Sequence, residues 1–321
     1  MNLIKNIFIS IFSFLFIIFI LEISLRLMGN QPRINDLARK DDPIIYKNDT
    51  ELGWIHKPGI YNFQPWSDHG KTTKFSINQD GSRKTSNQHN NNLNFIFIGG
   101  SLTQGWAVDD DENFVSFFKK LNPELNIINY GVGGYGGFQS LLLQERIIKN
   151  FKNINHFIYG FIDHHEVRNV AAGSWLYMLN KYSSRGHVSV PFASIDTSGR
   201  LKRNKPISYL KLSLSEYLVL IAKIEKKVMK LKSSKREKNQ FKISKMIISQ
   251  MNKNAKVNNS KFTLLFLDIN KKNLSRYTSF LNKNQISFVY CPIPPDEIVQ
   301  GEGHPNAYGH KIVADCLNEK L

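Results

Sequence analysis

Along the first thirty residues the stretch IFISIFSFLFIIFIL, ending at Leu21, carries no charge and has no polar face. A helix on a protein surface keeps one side polar, so uniform apolarity of this length predicts a bilayer segment instead. Glu22 and Arg26 follow near its end, where a helix can tilt and long side chains can reach the interface. A cleavable signal peptide needs small residues at an A-x-A-like site, and the first alanine is Ala38. The pattern therefore predicts an uncleaved signal anchor over residues 1–29. Lys5 stands alone before the segment while Arg26, Arg33, Arg39 and Lys40 follow it, which by the positive-inside rule alone would leave the body in the cytoplasm.

Residues 30–93 are polar and turn-rich, with short strand-like pieces such as GIYNF and KFSIN, and read as a membrane-proximal extension. From Asn94 apolar runs of strand length alternate with amphipathic stretches. Strands are predicted at 95–99, 126–130, 156–162, 262–268 and 287–291, and helices at 112–121, 138–150, 241–255, 271–283 and 306–320. Five strands separated by helices imply a three-layer α/β/α domain over 94–321 with a mainly parallel sheet covered on both faces. Residues 170–237 break the rhythm as an insertion, loop-rich and then helical around YLVLIAKIEKKVMKL.

Glycine-rich or polar clusters fall directly after strands one, two, three and five, and in a doubly wound sheet these carboxyl ends converge on one crevice. The first cluster is GGSLTQG. Gly100 and Gly105 have the spacing of a phosphate loop, but Trp106 and Ala107 stand where Lys and Ser or Thr are required. In GVGGYGG, Gly131, Gly133 and Gly136 match G-x-G-x-x-G, with Asp163 at the end of the next strand. A dinucleotide site there would leave the turn at Ser101 and the cluster GHPN without a task, and Asn126 and Asn129 in the preceding strand speak against it. Nucleophilic catalysis uses all of them. Ser101 is presented on a tight turn, and His304 lies in the glycine-rich loop GEGHPNAYGH before the last helix with Glu302 two residues earlier.

Composition changes this picture little. The 43 Lys and Arg against 26 Asp and Glu give a net charge of +17, but the excess is spread along the chain without an aromatic–basic module, so no nucleic-acid partner is implied. Cys291 and Cys316 lack the number for a disulfide scaffold and the spacing for a metal site, and read as ordinary buried thiols. His164 and His165 are adjacent, so on a strand-like segment they point apart and do not make a metal site.

At these residues the sequence resembles the SGNH (GDSL-type) hydrolases, over roughly residues 94–169 and 286–320. GGSLTQG resembles the family's serine block with Gly100 in place of aspartate, NYGVGGYGG its glycine block, and GEGHPNAYGH its late histidine block. The anchor, ELGWIHKPG and FIGGSLTQGWAVDDDENF are similar to membrane-anchored bacterial members. The resemblance implies the flavodoxin-like SGNH fold, a Ser101 nucleophile, a His304 base oriented by Glu302, and an oxyanion hole built from the backbone amides of Ser101 and Gly131. It implies no metal or organic cofactor, an extracytoplasmic catalytic domain and an O-acylated carbohydrate or small ester as substrate. Two positions depart from the pattern: the aspartate of D-x-x-H falls at Gly301, and Ile162 stands where the family's asparagine donates to the oxyanion. His164 is the substitute expected from the sequence, with His165, Asp163 and Asn169 nearby. Acyl transfer to a sugar hydroxyl and a non-catalytic envelope scaffold are the alternative functions.

Overall fold

The computed structural model describes residues 2–33, 45–64, 71–85, 94–182, 188–299 and 303–321. The chain begins with helix α1 (Asn2–Leu27), of which Leu3–Leu27 is long and apolar enough to cross a membrane. Two antiparallel hairpins follow, β1 (Tyr46–Asp49) with β2 (Gly53–His56) and β3 (Gly59–Phe63) with β4 (Thr73–Ile77).

The central sheet is made of β5 (Asn94–Gly99), β6 (Asn126–Gly131), β7 (Ile154–Ile162), β10 (Lys261–Asp268) and β11 (Ser287–Tyr290). Its order is β11-β10-β7-β5-β6 and every pairing is parallel. Counted along the chain this is the doubly wound order 2-1-3-4-5 of the flavodoxin-like class, which puts the switch point between β5 and β7. The fold class expected from the sequence is the one observed, and each predicted strand lies within two residues of an observed one.

Side chains alternate across the sheet as strand geometry requires. Phe97, Ile127, Ile158, Leu265 and Val289 face α3 (Phe114–Leu121) and α10 (Ala307–Lys320), where Phe114, Phe118, Val313 and Leu317 close the core. Ile96, Ile98, Phe157, Tyr159 and Phe266 face α4 (Gly137–Asn150), α8 (Gln240–Val257) and α9 (Lys271–Lys283). Helix boundaries follow capping chemistry: Asn113, Asn270 and Asn306 each accept a backbone N–H three residues on, at the starts of α3, α9 and α10.

Two segments differ from the sequence reading. The described part of 30–93 is not peripheral, because Tyr46, Leu52, Trp54, Phe75 and Ile77 are buried in the same core as the sheet. Arg83 also bridges to Asn129 on the edge strand β6. Its alternation of aromatic and polar residues is that of half-buried hairpins, whose polar faces made the segment look exposed. After α5 (His165–Asn169), the insertion holds α6 (Gly173–Tyr182), the hairpin β8 (Val190–Ile195) with β9 (Leu201–Ile207), and α7 (Val219–Glu237), so its described residues are largely regular rather than loop-rich.

Candidate active site

Strand β5 ends at Gly99, and the short helix α2 (Ser101–Gln104) starts with only Gly100 between them. So abrupt a turn needs residues without side chains. A β-carbon on Gly99 would stand 2.3 Å from Thr103 Oγ1 and 2.9 Å from Gly160 O. Gly105 ends α2 in the left-handed conformation, at φ 78°. Ser101 is thus the first residue of a helix at the carboxyl end of the sheet, where an amide N–H has no partner inside the helix and faces outward.

His304 reaches this serine from the far end of the chain: its Nε2 lies 2.9 Å from Ser101 Oγ. The loop that carries it is pinned on both sides. The His304 carbonyl accepts the Val299 amide at 2.7 Å, and Asn306 caps α10 while its Nδ2 donates to Glu297 Oε2 at 2.8 Å. Glu302 lies outside the described residues.

The remaining expected site residues are placed differently. The Gly131 amide donates to Asn129 Oδ1 at 2.9 Å, so it is not free to hold an oxyanion. The glycine has another reason: a β-carbon there would stand 2.3 Å from Gln104 N, and only its absence lets α2 lie on β6. Further along the loop, the Val132 amide is bonded to Gly99 O and that of Tyr135 to Val132 O. Among the described residues no acceptor is found for the amides of Gly133 and Gly134.

His164 is exposed just before α5, where the chain leaves β7. No hydrogen bond or ion pair joins it to Ser101 or His304 among the described residues. Ile162 is a core residue on the α3 and α10 side. Asp163 accepts the Asn270 amide at 2.9 Å and Asn273 Nδ2 at 3.0 Å, fastening the end of β7 to the start of α9. Asn169 is spent between α4 and α8, accepting the Phe138 amide and donating to Ser244 Oγ, each at 2.8 Å.

His165 is fully buried, with Nδ1 2.7 Å from Tyr159 Oη. Burial, reinforced by the nearby charges of Arg168 and His164, holds its pKa well below the usual imidazole value, so it is neutral. A β-carbon on residue 100 would stand 2.9 Å from His165 Nε2 and 3.3 Å from Arg168 Nη1. The ring occupies the room that a side chain at position 100 would need, which accounts for a glycine where the resemblance expects aspartate.

Sequence reasoning did not single out the residues that brace the serine turn from behind. Arg83, completely buried, donates from Nη1 to the carbonyls of Gln104 and Gly105 and from Nη2 to Val108 O at 2.7 Å. Burial draws its pKa down to about 10, so it is still a cation at neutral pH. Gln104 Nε2 lies 2.7 Å from His56 Nε2 and 3.0 Å from Tyr46 Oη, and Trp54 Nε1 donates to Gly133 O at 3.0 Å. Asn129 Nδ2 completes the brace on Thr103 O at 2.9 Å. The expectation of free thiols is also corrected. Cys291, just after β11, and Cys316 in α10 form a disulfide with Cα atoms 5.8 Å apart, closing the segment that carries His304. A pair of cysteines 25 residues apart has no spacing signature, so only the packing of α10 against the strand end reveals it.

No family model and no curated protein sequence matches the chain. Among solved structures it is similar to a psychrotrophic esterase from Pseudoalteromonas, with 9% identity, 71% of this chain and 95% of that one covered, and a TM-score of 0.43. A member of the lipolytic G-D-S-L family from Veillonella parvula is 12% identical over 71% and 97% of the two chains, with a TM-score of 0.35. A carbohydrate acetylesterase from Sinorhizobium meliloti is 9% identical over 71% and 97%, with a TM-score of 0.32. At this distance nothing about the chemistry follows from the likeness, and the case rests on the residues themselves.

Proposed function

We propose that the chain is a serine ester hydrolase of the SGNH type, anchored by α1 with its body on the extracytoplasmic side, acting on O-acylated envelope carbohydrate or small esters. One observation carries this reading: a histidine nitrogen 2.9 Å from the hydroxyl of a serine that heads a helix at the sheet's carboxyl end.

In this reaction His304 Nε2 takes the proton of Ser101 Oγ as the oxygen bonds to the ester carbonyl carbon. The negative charge on the tetrahedral intermediate is held by the Ser101 amide, with the amides of Gly133 and Gly134 in the place expected of Gly131. Collapse breaks the ester C–O bond, and His304 returns the proton to the departing alcohol. Water, deprotonated by the same imidazole, then cleaves the acyl-enzyme. Glu302 is assigned the orienting role beside His304. The disulfide supports an oxidising compartment, and so the extracytoplasmic side over the literal arginine count.

The test is labelling of the full chain in detergent micelles by a fluorophosphonate probe. The wild type is labelled, and Ser101→Ala and His304→Ala are not. Equal labelling of Ser101→Ala overturns the assignment, and an unlabelled, folded wild type leaves the scaffold reading in its place.

A further inference from the structure

The membrane helix and the insertion are joined at one level. Glu22 accepts the amides of Val219 and Leu220, each at 2.9 Å, and Arg26 Nη2 donates to Tyr217 O at 2.7 Å. The chain leaving α1 is held as well. The Arg33 amide bonds to Ser215 O at 3.1 Å, and Arg33 Nη1 meets Glu225 Oε1 at 2.7 Å with both side chains buried. A hydrocarbon layer takes about 20 apolar residues of helix, and the uncharged run ends at Leu21, so Glu22 and Arg26 fall in the interfacial layer. Whatever is bonded to them falls there too.

The segment between β9 and α7 turns large apolar side chains outward at that level: Leu210 is 37% exposed, Leu214 58% and Tyr217 59%. Leu214 sits in the left-handed conformation at φ 69°, where a solvated turn would use glycine or asparagine. The turn is nevertheless closed, with the Tyr217 and Leu218 amides both on Leu214 O, at 3.0 and 2.8 Å. A strained backbone that displays a leucine to water has no packing reason inside the molecule. Leucines flanking a tyrosine suit the border of headgroups and acyl chains, where an aromatic ring with a polar tip is favoured.

We propose that residues 210–217 form a second membrane contact, a foot resting in the interfacial zone of the bilayer that α1 enters. This rests on reading α1 as a membrane span. From the foot, α7 runs its 19 residues, about 28 Å, to the body. There Arg236 donates to the carbonyls of Val170 and Ala171, each at 2.9 Å, and Glu237 Oε1 accepts the Gly173 amide at 3.1 Å. Those residues follow α5 directly, so the foot and strut fix the distance between bilayer and crevice.

The experiment places a bimane on single cysteines introduced into the full chain in phosphatidylcholine–phosphatidylglycerol nanodiscs containing shallow nitroxide lipids. The native cysteines are paired and do not react. The positions are Leu214→Cys, Leu15→Cys within α1, and Lys283→Cys on the exposed end of α9. Quenching at position 214 is expected within about twofold of that at position 15 and at least about fivefold above that at position 283. Strong quenching at 15 with 214 no different from 283 overturns the foot. Absence of quenching at 15 overturns the membrane-span reading beneath it.

Discussion

Replacing Arg83 by methionine tests whether the residues before β5 belong to the machinery that presents Ser101. The guanidinium is fully buried, serves three carbonyls of the stretch Gln104–Val108, and stands 4.0 Å over the Phe75 ring. Methionine keeps much of the length and removes the charge, so no ion is orphaned except Asp110, whose carboxylate is only 3.4 Å from Nε and partly exposed. The three carbonyls are left in the interior. At roughly 1–3 kcal/mol for each unsatisfied group, less what is regained by no longer burying a cation, the expected loss is about 3–5 kcal/mol. For a chain of this size that lowers Tm by about 6–15 °C. Scanning calorimetry on the full chain in detergent reads the stability. Fluorophosphonate labelling at low temperature, where the variant is still folded, reads the turn, and its rate should fall at least about tenfold because α2 loses the brace behind it. Arg83→Lys should restore little, since a single ammonium cannot span three acceptors in a fork. A Tm within 2 °C of wild type with unchanged labelling would refute the reasoning and make residues 45–85 a tether.

Three further outcomes are expected. Replacing Cys291 and Cys316 together by serine opens a loop of about 25 residues around His304, a loss of about 3–4 kcal/mol by loop-closure entropy, seen as a lower Tm and slower labelling; wild-type behaviour would show the bond to be idle. Burial holds His310 down to about 3 and His156 down to about 4 in the folded chain, whereas both protonate near 6.5 when unfolded. Their contribution is therefore whole above pH 6.5 and is lost as pH falls toward 4, by about 1.4 kcal/mol per unit for each. Tm measured against pH should fall less steeply in His156→Gln, and an identical slope would contradict the assignment. His164→Ala should label within about twofold of wild type, because no hydrogen bond or ion pair joins its side chain to the pair among the described residues; a tenfold loss would return it to the oxyanion hole.

The sheet was legible because its strands are short apolar runs, and because the inner ones are buried on both faces. FIFIG and FTLLFLD leave no polar face to confuse the period. The hairpins of residues 46–77 were not legible as core. Their strands are short and rich in polar residues, YKND and TKFSI among them, and the partner surface comes from parts of the chain more than eighty residues away. The same holds for the insertion, whose lysines mark the solvent side of α7 while Glu225 and Met229 face inward.

In the site, pattern located the serine and the histidine but not the donors around them, and the difference lies in what a glycine records. A glycine in sequence reports that a side chain is not tolerated; it does not report whether a substrate or a neighbouring element occupies the space. At Gly131 the occupant is the backbone of α2, and the amide beside it is consumed by Asn129. At Gly100 the occupant is His165, a residue 65 positions on whose ring stacks on Tyr159. Glycine at 100 and histidine at 165 are thus one choice made twice. An aspartate restored at 100 alone would drive a carboxylate against a buried ring 2.9 Å from its β-carbon and beside Arg168, which is already bonded to Tyr135 O. The departures from the SGNH pattern at positions 100 and 162 are accordingly not independent losses. Both follow from how the segment after β7 packs, with His165 filling the space beside Gly100 and Ile162 turned into the core on the α3 and α10 side.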